Sequence, residues 1–97
     1  MLDSESAKRL ATEEINRGYN GRFGPLVILE EETIEKEYGW IFFYSTKKFA
    51  ETRQFQYALA GSGPLVVERS GVMRRFGSGK SPAEVIREYE ISRGYTN

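Results

Sequence analysis

Five carboxylates crowd into the stretch from residue 30 to residue 37: Glu30, Glu31, Glu32, Glu35 and Glu37. Carboxylates grouped in this way serve glycoside chemistry or bind hard cations. They equally suit an exposed strand whose charges discourage edge pairing, or an acidic surface that docks a basic partner. A second pattern with chemical potential is GSGKS at residues 77–81, which has the composition of the end of a phosphate-binding loop. The complete loop needs a glycine five positions before Gly79, and Arg74 stands there, so the stretch reads as a turn followed by a helix cap. Arg69, Arg74, Arg75 and Lys80, with Phe76 among them, combine basic and aromatic side chains as single-stranded nucleic-acid sites do. Glu68 and Glu84 interrupt that cluster and the formal net charge is zero, so it reads as ordinary charged surface with no nucleic-acid partner.

What is missing narrows the chemistry further. The 97 residues include no Cys and no His, which removes disulfides, thiol nucleophiles, Cys or His zinc sites and the usual general base near neutral pH. We therefore expect no enzyme, no cofactor and no metal. Residues 1–9, MLDSESAKR, lack the positive start and apolar stretch of a signal peptide, and no apolar run approaches a membrane span. The expectation is a cytoplasmic protein, residues 1–97 forming one domain with a single modest core. Charge is unevenly placed: residues 1–37 carry nine acids against five bases, and residues 38–97 the reverse. Glu30, Glu31, Glu32, Glu35 and Glu37 are the concentrated charge of one sign in a neutral chain. Any protein partner is expected to dock at least partly on them.

The elements that must hold these residues are organised around YGWIFFY at 38–44, the densest apolar run. Its aromatic and β-branched residues predict a strand over 39–46 with both faces largely covered, and Trp40 belongs to the core. Before it, Pro25 opens a strand over 26–36, joined by a turn at Glu37, Tyr38 and Gly39. Pairing of residues 36 and 39 sets Ile34 opposite Ile41, Glu35 opposite Trp40 and Glu32 opposite Phe43, unless a bulge shifts the register. Strands over 64–69 and 72–77 form a second hairpin through Ser70 and Gly71, with Leu65, Val67, Val72 and Phe76 on its apolar face. Helices are predicted over 4–17, capped by Asp3, Ser4 or Ser6, and over 82–92. The second carries Ser81, Pro82 and Glu84 as start signals and Gly94 as its stop. Residues 47–60 have no clean period; 50–60 read as mostly loop with at most one helical turn. The sum is an α+β fold: a two-layer sandwich whose four-stranded, mainly antiparallel sheet carries the N- and C-terminal helices on one face.

With these elements in place, a resemblance emerges from GW at 39–40 and the aromatic run after it, GSGPLVVE at 61–68, Gly71, FGSG at 76–79 and SPAEVIREYE at 81–90. In order and spacing they resemble the YrhB-like family, also catalogued as a class of immunity proteins of bacterial polymorphic toxin systems. The resemblance covers about residues 38–90. Ser62 replaces the Asn of the family's turn, and Glu68 stands where an Asp commonly follows the third strand's apolar run. It implies a small non-catalytic binding protein whose partner is a cognate toxin domain. The alternative it carries is a stand-alone chaperone-like holdase, which would work through exposed apolar surface.

Overall fold

The computed structural model describes residues 1–19, 21, 23–59, 63–77 and 79–95. Parts of the expected YNGRFG, GSGP and GSGKS turns, at positions 20, 22, 61, 62 and 78, lie outside the described residues. Helix α1 spans Ser4–Asn16 and starts where Asp3 accepts a hydrogen bond from the Ser6 amide at 2.8 Å. Its buried stripe is Ala7, Ala11 and Ile15. Strands β1 (Leu26–Ile28), β2 (Ile34–Lys36), β3 (Gly39–Phe42) and β4 (Tyr44–Thr46) follow. Helix α2 occupies Lys47–Thr52, and a short 3-10 turn Phe55–Tyr57 comes after it. Strands β5 (Leu65–Glu68) and β6 (Met73–Arg75) precede the last helix, α3 (Pro82–Arg93).

The fold is α+β as expected, and the order β2-β3-β5-β6 gives the expected four-stranded antiparallel sheet. The first hairpin has the expected register at Ile34 opposite Ile41 and Glu35 opposite Trp40. The single strand expected over 26–36 is instead two. Between them Glu30–Glu32 forms a 3-10 turn, and β1 pairs with β4 in a separate two-stranded sheet. Ile28 opposite Tyr44 and Ile34 opposite Ile41 are three residues out of step, so three residues are looped out of the ladder. Glu32 consequently does not face Phe43; the Leu29 amide donates to the Phe43 carbonyl at 2.8 Å. The strand expected over 39–46 bends at the same level and divides into β3 and β4.

Placement of the helices also differs from expectation. Side chains alternate along β3 and β5, and both faces are apolar. Trp40, Phe42, Leu65 and Val67 pack with Ala7, Ala11 and Ile15 of α1, whereas Ile41 and Val66 pack with Tyr89 of α3. The two terminal helices therefore cover opposite faces of the sheet, because a strand apolar on both sides needs cover on both. The same alternation separates the residues expected together on the second hairpin. Phe76 lies with Val66 and Tyr89, while Val72 is exposed in the turn. Trp40 is core as expected, 3% exposed. Gly39 lets β3 and β5 approach closely, since a Cβ there would collide with the carbonyl oxygen of Val67.

Residues 47–57 hold more regular structure than expected, a helix and a 3-10 turn in place of mostly loop. Thr46 ends β4 and also caps α2, accepting from the Phe49 amide at 3.0 Å while its hydroxyl donates to the Tyr57 carbonyl at 2.7 Å. One buried side chain thus fixes both ends of this excursion.

Candidate partner-binding surface

The looped-out turn places Glu30, Glu31 and Glu32 on the surface, free of any ladder constraint. Each is met by a cation from another element. Lys8 of α1 reaches Glu30 at 2.6 Å, and Arg53 pairs with both Glu31 and Glu32. The Glu31 carboxyl is held below its ordinary value chiefly by its own backbone N–H, with burial opposing and Arg53 adding to the depression. Farther along, Glu35 on β2 pairs with Arg69 at 3.0 Å. Arg69 also donates to the Glu37 and Lys36 carbonyls and lies 4.5 Å from the Trp40 ring centroid. Among the described residues Glu37 makes no ion pair. The five acids therefore fall into two places, a turn latched to α2 and α1 and a β-hairpin end latched to Arg69. Glu31 and Glu35 do not share one regular strand face. Among the described residues no group of three or more carboxylates stands where it could hold a metal ion.

Arg53 connects this acidic turn to an aromatic surface that the sequence did not reveal. It ends α2 in the left-handed region, φ 57° and ψ 25°, alone among the described non-glycine residues. That conformation is sparsely populated by residues with a Cβ and persists where surrounding contacts enforce it. Here the enforcing contacts are Glu31, Glu32 and the Phe49 ring, 5.4 Å from the guanidinium. The turn so made projects Phe55, which is 89% exposed and has its ring centroid 6.5 Å from that of Phe49. Beyond it, Tyr57 meets Phe23 edge to face at 5.5 Å, and the Lys48 ammonium lies 5.3 Å from the Tyr57 centroid. The available signal for Phe55 was an aromatic flanked by Gln54 and Gln56, in a segment where helical spacing would instead align it with Ala58 and Leu59.

The basic residues expected to be ordinary surface are dispersed. Arg69 serves Glu35, Lys80 holds Glu88 at 2.8 Å, and Arg75 lies over Tyr44 while Arg74 lies over Phe76 on the other side of the sheet. Ser81 caps α3, accepting from the Glu84 amide at 3.3 Å, as the cap reading of GSGKS requires.

A second polar cluster, also missed, fixes α3. Glu68 at the end of β5 is 3% exposed. It accepts from Tyr89, from Arg93 at 2.9 and 3.1 Å and from the Tyr95 hydroxyl at 2.6 Å. Burial alone would push this carboxyl up, but the hydrogen bonds from Arg93, Tyr89 and Tyr95 and the charge of Arg93 outweigh it and hold the group below its ordinary value. The Tyr89 hydroxyl is pushed well up by burial and by Glu68, and that of Tyr38 by burial and by Glu90, to which it donates at 2.8 Å. With every lone pair of Glu68 engaged by α3 and its C-terminal turn, the cluster is a clasp and offers no open position for a substrate.

Among the described residues no helix is long and apolar enough to cross a membrane. Comparison with curated proteins and with solved structures gave no match. The family model described as Immunity protein 35 matches residues 5–92, nearly the whole chain, and the protein belongs to that family.

Proposed function

We propose that this chain is a cytoplasmic, non-catalytic immunity protein that neutralises a cognate toxin domain of a polymorphic toxin system by forming a stoichiometric, noncovalent complex with it. The observation that supports a docking role here is Phe55, an aromatic ring left 89% exposed on a segment that Thr46 and Arg53 hold in one shape. Aromatic anchors on preorganised segments supply a large share of interface energy, and polar rims around them exclude water and steer encounter. In this reading Glu30, Glu31, Glu32, Glu35 and Glu37 are that rim. Since four of the five are already paired within the chain, their field is weaker than their number suggests.

The test is Phe55→Ala in a binding assay against the toxin domain encoded beside this gene. An exposed ring contributes little to folding, so the thermal midpoint stays where it is while affinity falls by about 30-fold or more, the size expected of an aromatic hot spot. Unchanged affinity would move the interface off this segment. Failure of the wild-type chain to bind any product of the neighbouring toxin gene, together with suppression of aggregation of an unrelated heat-denatured protein at stoichiometric ratio, would replace this reading by the holdase role attached to the YrhB-like resemblance.

A further inference from the structure

Tyr57, two residues after Phe55, helps line a shallow cavity of about 500 Å³ together with Phe23, Gly24, Lys47, Lys48 and Glu51. Its charge differs from that of the acidic turn. The acids at 30–32 are answered by Lys8 and Arg53, but Lys47 and Lys48, both exposed, have no carboxylate partner among the described residues. Glu51 stands at helical pairing distance from each in sequence, yet Lys48 is turned onto the Tyr57 ring instead. The edge-to-face pair of Phe23 and Tyr57 gives the cavity an apolar wall, and two lysines line it, the Lys48 ammonium 5.3 Å from the Tyr57 centroid. An ammonium set over a ring beside an apolar wall suits a carboxylate carried on a short apolar stem. We infer that this cavity receives an acidic side chain, Asp or Glu, of the toxin domain. The inference rests on the proposed function and adds the chemistry of the partner's contact.

The alternative source of negative charge, a nucleic-acid backbone, is disfavoured by its surroundings. Glu51 lines the cavity itself, and Glu30, Glu31 and Glu32 form a turn joined through Arg53 to the end of the same helix. A continuous polyanion would meet those acids, whereas a folded protein can offer bases to the acidic turn and one acid to the lysines.

Two measurements on the full chain decide it. In the first, wild type, the pair Lys47→Gln with Lys48→Gln, and the pair Lys47→Glu with Lys48→Glu are compared for binding to the neighbouring gene's toxin domain. Reversal of the two charges should lower affinity by about 30-fold and slow association at low salt, neutralisation by roughly a third of that on a logarithmic scale, and both proteins should keep the wild-type thermal midpoint. If wild type binds and the reversed protein binds equally well, the inference fails and the proposed function stands. In the second, the isotope-labelled chain is titrated with acetylated tetraglutamate, with acetylated tetralysine and with an oligothymidylate of similar length. Amide shifts at Gly24, Lys47, Lys48 and Tyr57 with the acidic peptide alone support the inference; a wild-type chain that does not bind the toxin domain overturns the proposed function and with it the identity of the partner, whatever the peptide does. Larger shifts with the oligonucleotide, or no shift at these residues with the acidic peptide, overturn the inference.

Discussion

Replacing Glu68 by Gln tests how α3 is held. The substitution preserves shape and removes one charge from a site that is 3% exposed. In the wild type one carboxylate oxygen accepts from Tyr89 and Arg93 Nε, and the other from Arg93 Nη2 and Tyr95. A glutamine oxygen keeps one of those pairs, with a neutral acceptor in place of a charged one. Its amide group faces the Tyr89 hydroxyl, which can rotate to accept, and Arg93 Nε, which cannot. Hydrogen bonds to charged groups contribute about 1.5–3 kcal/mol each against about 1 kcal/mol for neutral ones, so the loss at Glu68 sums to about 3 kcal/mol. For a domain of this size that lowers the thermal midpoint by roughly 12–24 °C. Urea denaturation followed at several pH values gives a sharper reading. The Glu68 carboxyl is depressed in the folded state, so its contribution is fully present above the ordinary value of 4.5 and is lost as pH falls through the lower folded value. The stability gap between wild type and Glu68→Gln should therefore close on acidification below 4.5. A gap under about 0.5 kcal/mol at neutral pH, within the range of an ordinary surface substitution, would refute the clasp. So would a gap of full size that persists to the most acidic pH at which both proteins fold.

Two other substitutions probe the frame. Trp40→Ala removes a ring that is buried between α1 and the sheet and should cost about 3–5 kcal/mol, read as a fall in the urea midpoint. Thr46→Val removes the α2 cap and leaves the Tyr57 carbonyl without its donor, which should cost about 1–2 kcal/mol. Hydrogen exchange should then rise across residues 47–57 while β5 keeps its protection.

Much of the fold was legible because its determinants are local. Asp3 and Ser81 announce helix starts within three residues of the amides they satisfy, and Gly39 and Gly71 mark the two hairpin turns. The loop-out at Glu30–Glu32 was not legible, because residues 26–36 contain no Gly, Pro, Asn or Asp to punctuate the run. Helix α2 was hidden by Thr46, one residue that is both the end of a strand and a cap. The Glu68 clasp depends on side chains 21, 25 and 27 residues away, beyond the reach of any periodicity. Of the candidate surface, the acids were visible as composition, but their pairing with Lys8, Arg53 and Arg69 exists only in three dimensions.

The looped-out turn bears on how such a protein can change over generations. Leu29 and Thr33 close it with backbone hydrogen bonds, and the three side chains between them are exposed and, among the described residues, have Lys8 and Arg53 as their charged partners. Substitution or even lengthening there alters neither the β1–β4 ladder nor the β2–β3 ladder. Mutational drift in this turn is therefore uncoupled from the two sheets and is felt instead through Lys8 and Arg53, so the surface proposed to meet a partner can be rewritten in step with it while the ladders beneath are inherited unchanged.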